Sequence, residues 1–294
     1  MKHFCGEAQH KNKAPLRQKL SICGNRRVTA IAGLTASVLF LAAVTAAGMK
    51  LTGRAAETNF AYQNLQPCRA FLFGTDWLGR DMLARTLAGL SMSIRVGLLT
   101  AAASAVIALI LGTAAALLGR RTEQALNWLI DLMMGIPHML FLILISFACG
   151  RGFAGAAAGI IFTHWMSLAR VVRGEVLALK NSAYVQIAEK LGESKLQIAG
   201  RHILPHLLPQ FLVGLILLFP HAILHEAGIT FLGFGLPPEQ PAIGIILSEG
   251  ARYLTTGKWW LALLPGGMLV FTVMVFDYAG RGLAGLLDVH RVHE

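Results

Sequence analysis

A polar segment, residues 170–206, lies between two long apolar stretches of this chain. It carries basic and acidic side chains, a central Gly192 and a closing Leu204-Pro205. Charged side chains in the hydrocarbon of a bilayer cost several kcal/mol each, so this segment cannot cross a membrane. It must project from a membrane protein into water. An ordered loop that does so indicates contact with a soluble partner.

Six apolar stretches are long enough to cross a bilayer, which takes about 20 residues. With 55% hydrophobic and 14% charged residues, the chain is not an ordinary soluble domain. The predicted spans cover residues 28–49, 94–118, 125–148, 155–172, 207–231 and 260–286. The third, fourth and sixth are interrupted by Asp131, Pro137, His164, Pro265 and Asp277. We therefore predict an all-α polytopic membrane protein with one membrane domain, residues 28–294, after a basic N-terminus, residues 1–27.

The net charge of +11 is unevenly distributed along the chain. With six spans, both termini, residues 119–124 and the polar segment lie on one side, and that side carries most of the lysines and arginines. Cytoplasmic loops have such an excess of basic residues. We therefore predict cytoplasmic termini and a cytoplasmic polar segment. The basic charge is a signal of topology and of contact with the lipid bilayer, and no nucleic-acid partner is expected.

The N-terminus has a second interpretation, because basic residues followed by an apolar run and small residues resemble a cleaved signal peptide. The run has about 22 residues, longer than the usual 7–15, which favours an uncleaved first span. The four cysteines form no CxxC pair and the chain has no P-loop motif. No disulfide framework, zinc site or nucleotide site is therefore predicted.

Two turn-forming segments fall on the side opposite the polar segment. The first, within residues 50–92, contains FGTDWLGRD, where Gly, Thr and Asp favour a turn. Asp81 is placed to cap the helix that follows. The second, residues 231–241, is rich in Gly and Pro and suits irregular backbone that lines a cavity at the outer mouth.

The polar segment resembles the cytoplasmic loop of ATP-binding-cassette (ABC) importer permeases. In that family the loop motif is EAA, three residues, Gly, nine residues, then I-x-LP. The matching positions here are Gln186, Ile187, Ala188, Gly192, Leu204 and Pro205. The chain departs from the motif at Gln186 and Ile187, which stand for Glu and Ala, and at His202, with Ile203 one place later. The spacing is kept.

Three further motifs, FGTDWLGRDMLAR, RVVRGEVLAL and ITFLGFGLPPEQPAIG, are similar to the peptide/nickel branch of these permeases, in its second subunit. The resemblance implies a type I importer permease with a core of about 93–287 and a coupling loop at 173–206. It implies a transport subunit in a bacterial inner membrane, not an enzyme. It binds no cofactor itself, because ATP is used by partner ABC ATPases. A homologous permease and an extracytoplasmic solute-binding protein are the other implied partners.

Within this family the histidines are similar to those of nickel-type members. These are His164, which precedes Trp165, and the pair His221 and His225, with His290 and His293 in the tail. The resemblance implies import of nickel or a metal chelate. His221 and His225 are four residues apart, so they share one face of the fifth predicted span, and neutral imidazole suits nickel.

We therefore predict metal contact by His221 and His225, with His164, Glu226 and Asp131 along the translocation path. Packing of these imidazoles between helices is an equally open interpretation. Solvated tail histidines and gap-filling methionines around His138 (Met133, Met134, Met139) are favoured over metal binding there. The alternative substrate is a di- or oligopeptide.

Other function classes are disfavoured. An intramembrane metalloenzyme is suggested by His221, His225 and Glu226, but their order lacks the HExxH arrangement in which Glu is the base. A secondary transporter needs no ATPase, yet no inverted repeat is visible. The polar loop could instead rest on lipid through Ile187, Leu191 and Ile198. Gly192 and the Leu-Pro ending favour a helix-turn-helix that docks on a partner, with Ala188 and Gly192 letting another backbone approach.

Overall fold

In the computed structural model, residues 16–287 are described, with side chains from Val28 onward. Residues 1–15 of the predicted basic N-terminus, and His290 and His293, lie outside this range. The helices are α1 (Leu16–Ala56), α2 (Met82–Leu117), α3 (Arg120–Met134), α4 (His138–Ala148), α5 (Phe153–Lys180), α6 (Ala183–Lys190), α7 (Lys195–Ile198), α8 (Leu204–Phe231), α9 (Ile243–Ala251) and α10 (Trp260–Leu287). Between residues 16 and 287 there is no β-strand, only an isolated bridge between Thr75 and Asp81. The all-α prediction is confirmed.

Five helices in the described range are long and apolar enough to cross a membrane, and a bent pair could form a sixth span. The predicted start of the second span at residue 94 was wrong: α2 begins at Met82. The sequence hides this because Arg85, Ser91 and Ser93 dilute the apolar pattern, although all three are buried. Asp81 caps α2 by accepting from the amides of Leu83 and Ala84, as predicted.

The third predicted span is broken. α3 and α4 meet at an angle of 97° across Gly135, Ile136 and Pro137. Proline lacks a backbone N–H and its ring clashes with the preceding turn of a helix, so α3 cannot continue through Pro137. By contrast, Pro265 lies inside a continuous α10, and Pro209 and Pro220 lie inside α8.

Helix α2 is the centre of the packing and contacts α1, α5 and α8. Many of its buried residues are small, among them Ala101, Ala105, Ala108, Gly112, Ala115 and Ala116. A Cβ at Gly112 would lie 2.7 Å from the Ala169 carbonyl oxygen of α5, so the two backbones approach closely there. Small residues permit this kind of close helix contact in membranes.

The core has two main parts, one towards each end of α2. One surrounds the N-terminal half of α2 and includes Leu90, Ile223 and Trp260. The other surrounds the C-terminal half and includes Val176 and Ile203 from the polar segment and its flanks. The coupling loop therefore packs on the same core as the end of α2 and is not a detached arm.

A buried ion network stabilises the side opposite the coupling loop. Asp76 has no exposed surface. Its Oδ1 accepts from the amides of Leu78 and Arg80, each at 2.9 Å, and its Oδ2 accepts from Arg80 Nε at 2.6 Å and Arg85 Nη1 at 2.7 Å. Arg85 Nη2 also donates to Glu249 Oε2 at 2.8 Å. The network thereby joins the 57–81 loop, the start of α2 and α9.

Candidate functional site

The coupling loop folds as short helices joined at Gly192. Helix α6 ends at Lys190, and Gly192 has a φ of +89°, a conformation that side chains with a Cβ rarely adopt. The Gly192 amide donates to the Glu189 carbonyl and the Glu193 amide to the Ala188 carbonyl, both at 3.1 Å, which closes the end of α6. A helical turn and a turn of π-helix (Ala199–Ile203) then lead into α8. The predicted helix-turn-helix is confirmed.

One face of this loop is apolar and exposed. Leu191 is 79% exposed and Leu196 is 85% exposed, and Ile187 is more than half exposed. Val185 and Ile198 are buried against the chain's own core. Apolar side chains that point away from the core of a loop are available to a partner surface.

The predicted role of Ala188 in letting a partner approach was wrong, because Ala188 is 5% exposed and packs inside the chain. Gln186, Leu204 and Pro205 are exposed, so these motif positions lie at the surface. Leu204 begins α8, directly after the π-helical turn, and Pro205 occupies the first turn of α8.

Ion pairs connect the loop and its flanks. His202 Nε2 and Glu193 Oε2 are 2.9 Å apart within the loop. Arg173 of α5 pairs with Glu123 of α3. Arg170 pairs with Asp131, which is exposed on α3. Asp131 thus holds α3 against α5.

Three histidines converge where the broken span meets α5 and α8. The ring centroids of His138 and His225 are 4.5 Å apart, those of His164 and His225 are 4.9 Å apart, and those of His138 and His164 are 5.1 Å apart. One ring nitrogen from each lies within 4.8 Å of the other two, an arrangement that could hold a metal ion. We call these residues the histidine triad. His164 is buried, and His138 and His225 are partly exposed.

Backbone carbonyls fix two of the rings. His164 Nδ1 lies 3.0 Å from the Ile160 carbonyl oxygen, and His225 Nδ1 lies 2.7 Å from the His221 carbonyl oxygen. A carbonyl only accepts hydrogen bonds, so each Nδ1 carries the proton and each Nε2 keeps a free lone pair.

The two predicted metal contacts, His221 and His225, do not face one common site. His221 lies one turn before His225, is exposed, and contributes its carbonyl to orient His225, while its ring lies outside the triad. Glu226 is fully buried and accepts from Thr230 Oγ1 at 2.9 Å. Sequence reasoning placed His164 and His225 on the path but did not join them to His138.

A cavity of about 310 Å³ adjoins the triad at the break between α3 and α4. It is lined by Met133, Met134, Gly135, Ile136, Pro137, His138 and Met166. Two of the three methionines noted near His138 therefore line a space beside an imidazole. The signal that could have pointed to His138 is its place directly after Pro137, because interrupted apolar segments mark binding sites in transporters.

Comparison with known proteins identifies the class. Residues 107–288 match the family model for the binding-protein-dependent transport system inner membrane component. The match spans more than half of the chain. The chain belongs to this family.

Two peptide permeases are similar to this chain over most of its length. It is 32% identical over 259 residues to the oligopeptide transport system permease protein OppC of Bacillus subtilis, covering 88% of this chain and 85% of the relative. It is 32% identical over 226 residues to the dipeptide transport system permease protein DppC of the same organism, covering 77% and 71%.

A solved structure has the same fold as this inner membrane component. The MetNI methionine ABC transporter, in an inward-facing conformation, matches with a TM-score of 0.59 over 70% of this chain and 97% of that chain, at 17% identity. The chain therefore has the type I ABC importer permease fold, and it is a membrane-embedded permease subunit of an ABC importer, not an enzyme.

Proposed function

We propose that this permease subunit forms one wall of the translocation path of an ATP-driven importer for di- or oligopeptides. The observation that supports this substrate class most directly is the similarity to dipeptide and oligopeptide permeases over three quarters or more of the chain. This corrects the order of the sequence-based expectations, in which nickel stood first and peptides second.

The proposed mechanism uses the coupling loop as a lever. Separate ABC ATPase subunits bind the exposed apolar face of the loop, and their closure around ATP moves α5 and α8, which flank it. Because the loop packs on the core at the end of α2, its displacement tilts the spans between inward-facing and outward-facing states. The chain itself binds no cofactor, and ATP is consumed by the partner.

The remaining partners complete the path. A homologous permease supplies the opposite wall, and a solute-binding protein delivers cargo to the side that carries residues 57–81 and 232–259. The proposed location is a bacterial inner membrane with the coupling loop and both termini in the cytoplasm. The basic side chains around the loop support this orientation.

Uptake of labelled peptides tests the substrate class. In cells that express the complete importer, we expect ATP-dependent accumulation of a labelled dipeptide or tripeptide, with competition by unlabelled peptides. The control is a strain that lacks only this chain. Uptake of labelled nickel without any uptake of peptide in the same strains would contradict the proposal.

Nickel or a metal chelate is the second candidate substrate. The specific observation in its favour is the histidine triad, whose nitrogens lie within 4.8 Å of one another on three different helices. The two candidates give opposite results in the paired uptake measurement.

If the ATPase binds the exposed apolar face of the coupling loop, a charge introduced on that face should weaken its binding strongly. Replacing Leu196 with Asp is expected to weaken ATPase association by about thirty-fold, which corresponds to about 2 kcal/mol for an interface anchor. Leu196 is 85% exposed, so the fold should be preserved. Co-purification of the ATPase with the tagged permease measures the loss.

The matched control is Leu254→Asp. Leu254 is also an exposed leucine, but it lies in the 232–259 segment on the opposite side. The two variants should insert equally well and differ only in ATPase recovery. Equal recovery with both would exclude Leu196 as a docking residue.

A further inference from the structure

The histidine triad is built in the way that metal sites are built. Histidine ligands of metals usually donate their second ring N–H to a backbone carbonyl or carboxylate, which orients the ring and raises its basicity. His164 and His225 do this through the Ile160 and His221 carbonyls. Their Nε2 atoms receive no hydrogen bond from any side chain or backbone group in the described part of the chain.

The third ring has a comparable unpaired nitrogen. His138 Nε2 is buried and, within residues 28–287, has no hydrogen-bond partner. Buried polar atoms are normally paired, so an orphaned nitrogen in an imidazole that packs against two others needs a ligand or water. Packing alone does not account for the arrangement, since none of the three rings donates to another.

The spacing suits one small ion. Metal–nitrogen bonds are about 2.0–2.1 Å, so nitrogens around a tetrahedral ion are roughly 3.3 Å apart. The three ligand atoms now lie within 4.8 Å of one another. Each would move inward by about 1 Å, a shift that side-chain rotation provides, most readily in the partly exposed His138 and His225.

The donor atoms select the class of ion. Three imidazole nitrogens suit nickel, copper, zinc or cobalt, whereas calcium and magnesium require oxygen ligands. Three protein ligands also leave at least one coordination position open, as in metal sites that exchange their ligands. A cavity lined by His138 and by Met133, Met134 and Met166 lies next to the triad, so a ligand of the metal has space on that side.

We propose that His138, His164 and His225 bind one divalent late-transition-metal ion, whose open coordination positions are filled by the solute that brings it. The triad thereby lets the path carry metal-bearing solutes, such as metal–peptide complexes, in addition to metal-free peptides. The choice of solute rests on the proposed function, but metal binding by the triad does not.

Metal titration of the purified importer tests the binding site. The probe is Co²⁺, whose visible absorption reports nitrogen coordination, followed by competition with Ni²⁺. The starting protein carries His290→Ala and His293→Ala and no histidine tag, so that tail residues do not contribute. We expect about one ion per permease chain, and at least a ten-fold loss of affinity in each of the variants H138A, H164A and H225A.

Two matched variants control for histidine number and folding. H221A removes an exposed ring but keeps the carbonyl that orients His225, and H206A removes an exposed ring near the coupling loop. Both should bind Co²⁺ like the starting protein. H138A removes a partly exposed side chain, so its loss of binding remains informative even if the buried H164A variant folds poorly.

The proposal is overturned if the starting protein binds no stoichiometric Co²⁺, or if H138A and H225A bind it as tightly as H221A does.

A measurement of uptake then tests which solute the triad binds. Labelled nickel is supplied with excess glycylhistidine, and uptake of a metal-free peptide is measured in parallel. If H138A and H225A lose the nickel uptake but keep the peptide uptake, the proposed role of the triad in carrying metal-bearing solutes is supported. Equal loss of both uptakes overturns it. Failure of the unaltered importer to take up peptide contradicts the proposed function, while the titration still decides the site.

Discussion

Replacing Asp76 with alanine is expected to lower the free energy of unfolding of the permease by about 3–5 kcal/mol, the cost of breaking a buried ion pair from one side. Asp76 is fully buried and accepts four hydrogen bonds, two from backbone amides and two from Arg80 and Arg85. Without it, the buried Arg85 guanidinium keeps Glu249 as its single charged partner among residues 28–287. Thermal unfolding of the purified protein in a mild detergent measures the change.

The control for this prediction is Asp277→Ala. Asp277 pairs with Arg281 one turn later on α10, and the Arg281 side chain is 76% exposed. Exposed pairs of this type contribute little to stability, because water screens the charges. If the two variants unfolded at the same temperature, the network around Asp76 would contribute no more to stability than a surface ion pair.

Replacing Gly192 with valine is expected to reduce ATP-driven uptake by about thirty-fold while membrane insertion is preserved. A Cβ at this position would meet no atom within 4 Å, but a β-branched residue at a φ of +89° is strained. A strain of about 2 kcal/mol shifts the population of the docking geometry by about thirty-fold. Under the proposed mechanism, ATP hydrolysis then continues without transport, and paired measurements of hydrolysis and uptake in proteoliposomes detect this.

Gly200→Val is the matched control for Gly192. Gly200 lies in the same loop, its surroundings are equally open, and its φ is in the ordinary negative range. Valine there should leave uptake within about two-fold of the unaltered protein, since surface substitutions without strain have small effects. Normal uptake in Gly192→Val, or equal loss in both variants, would contradict a coupling role for the left-handed turn.

The sequence was sufficient for the features that depend on local chemistry. Apolar length predicted the approximate positions of the spans, though not the start of the second or the bend in the third, and the polar segment with Gly192 predicted the helix-turn-helix. The oxygen of Asp81, one residue before an apolar helix, predicted the cap. These features are visible without tertiary contacts because the bilayer and the backbone impose them directly.

Features that depend on distant contacts were missed. Arg85 lies in the 50–92 segment, which the sequence placed only on the side opposite the polar segment, and its burial could not be predicted because its partner Glu249 is 164 residues away. The sequence suggested that Ala188 lets another backbone approach, but in the structure Ala188 is buried in the core formed with α2 and α5. His138 joins His164 and His225 only because the chain bends by 97° at Pro137, and a proline predicts a break but not its direction.

The two ends of helix α2 are held differently by the rest of the chain. The Asp76–Arg85–Glu249 network fixes its N-terminal end to α9, whereas its C-terminal half packs closely on α5 at Gly112. A 36-residue helix is about 54 Å long, so under the proposed mechanism a tilt of about 5° about its N-terminal end would move its C-terminal end, and the core packed on it, by about 5 Å. A small rotation of α2 at its N-terminal end, near the outer mouth, would therefore accompany a displacement of several ångströms at its C-terminal end, beside the coupling loop.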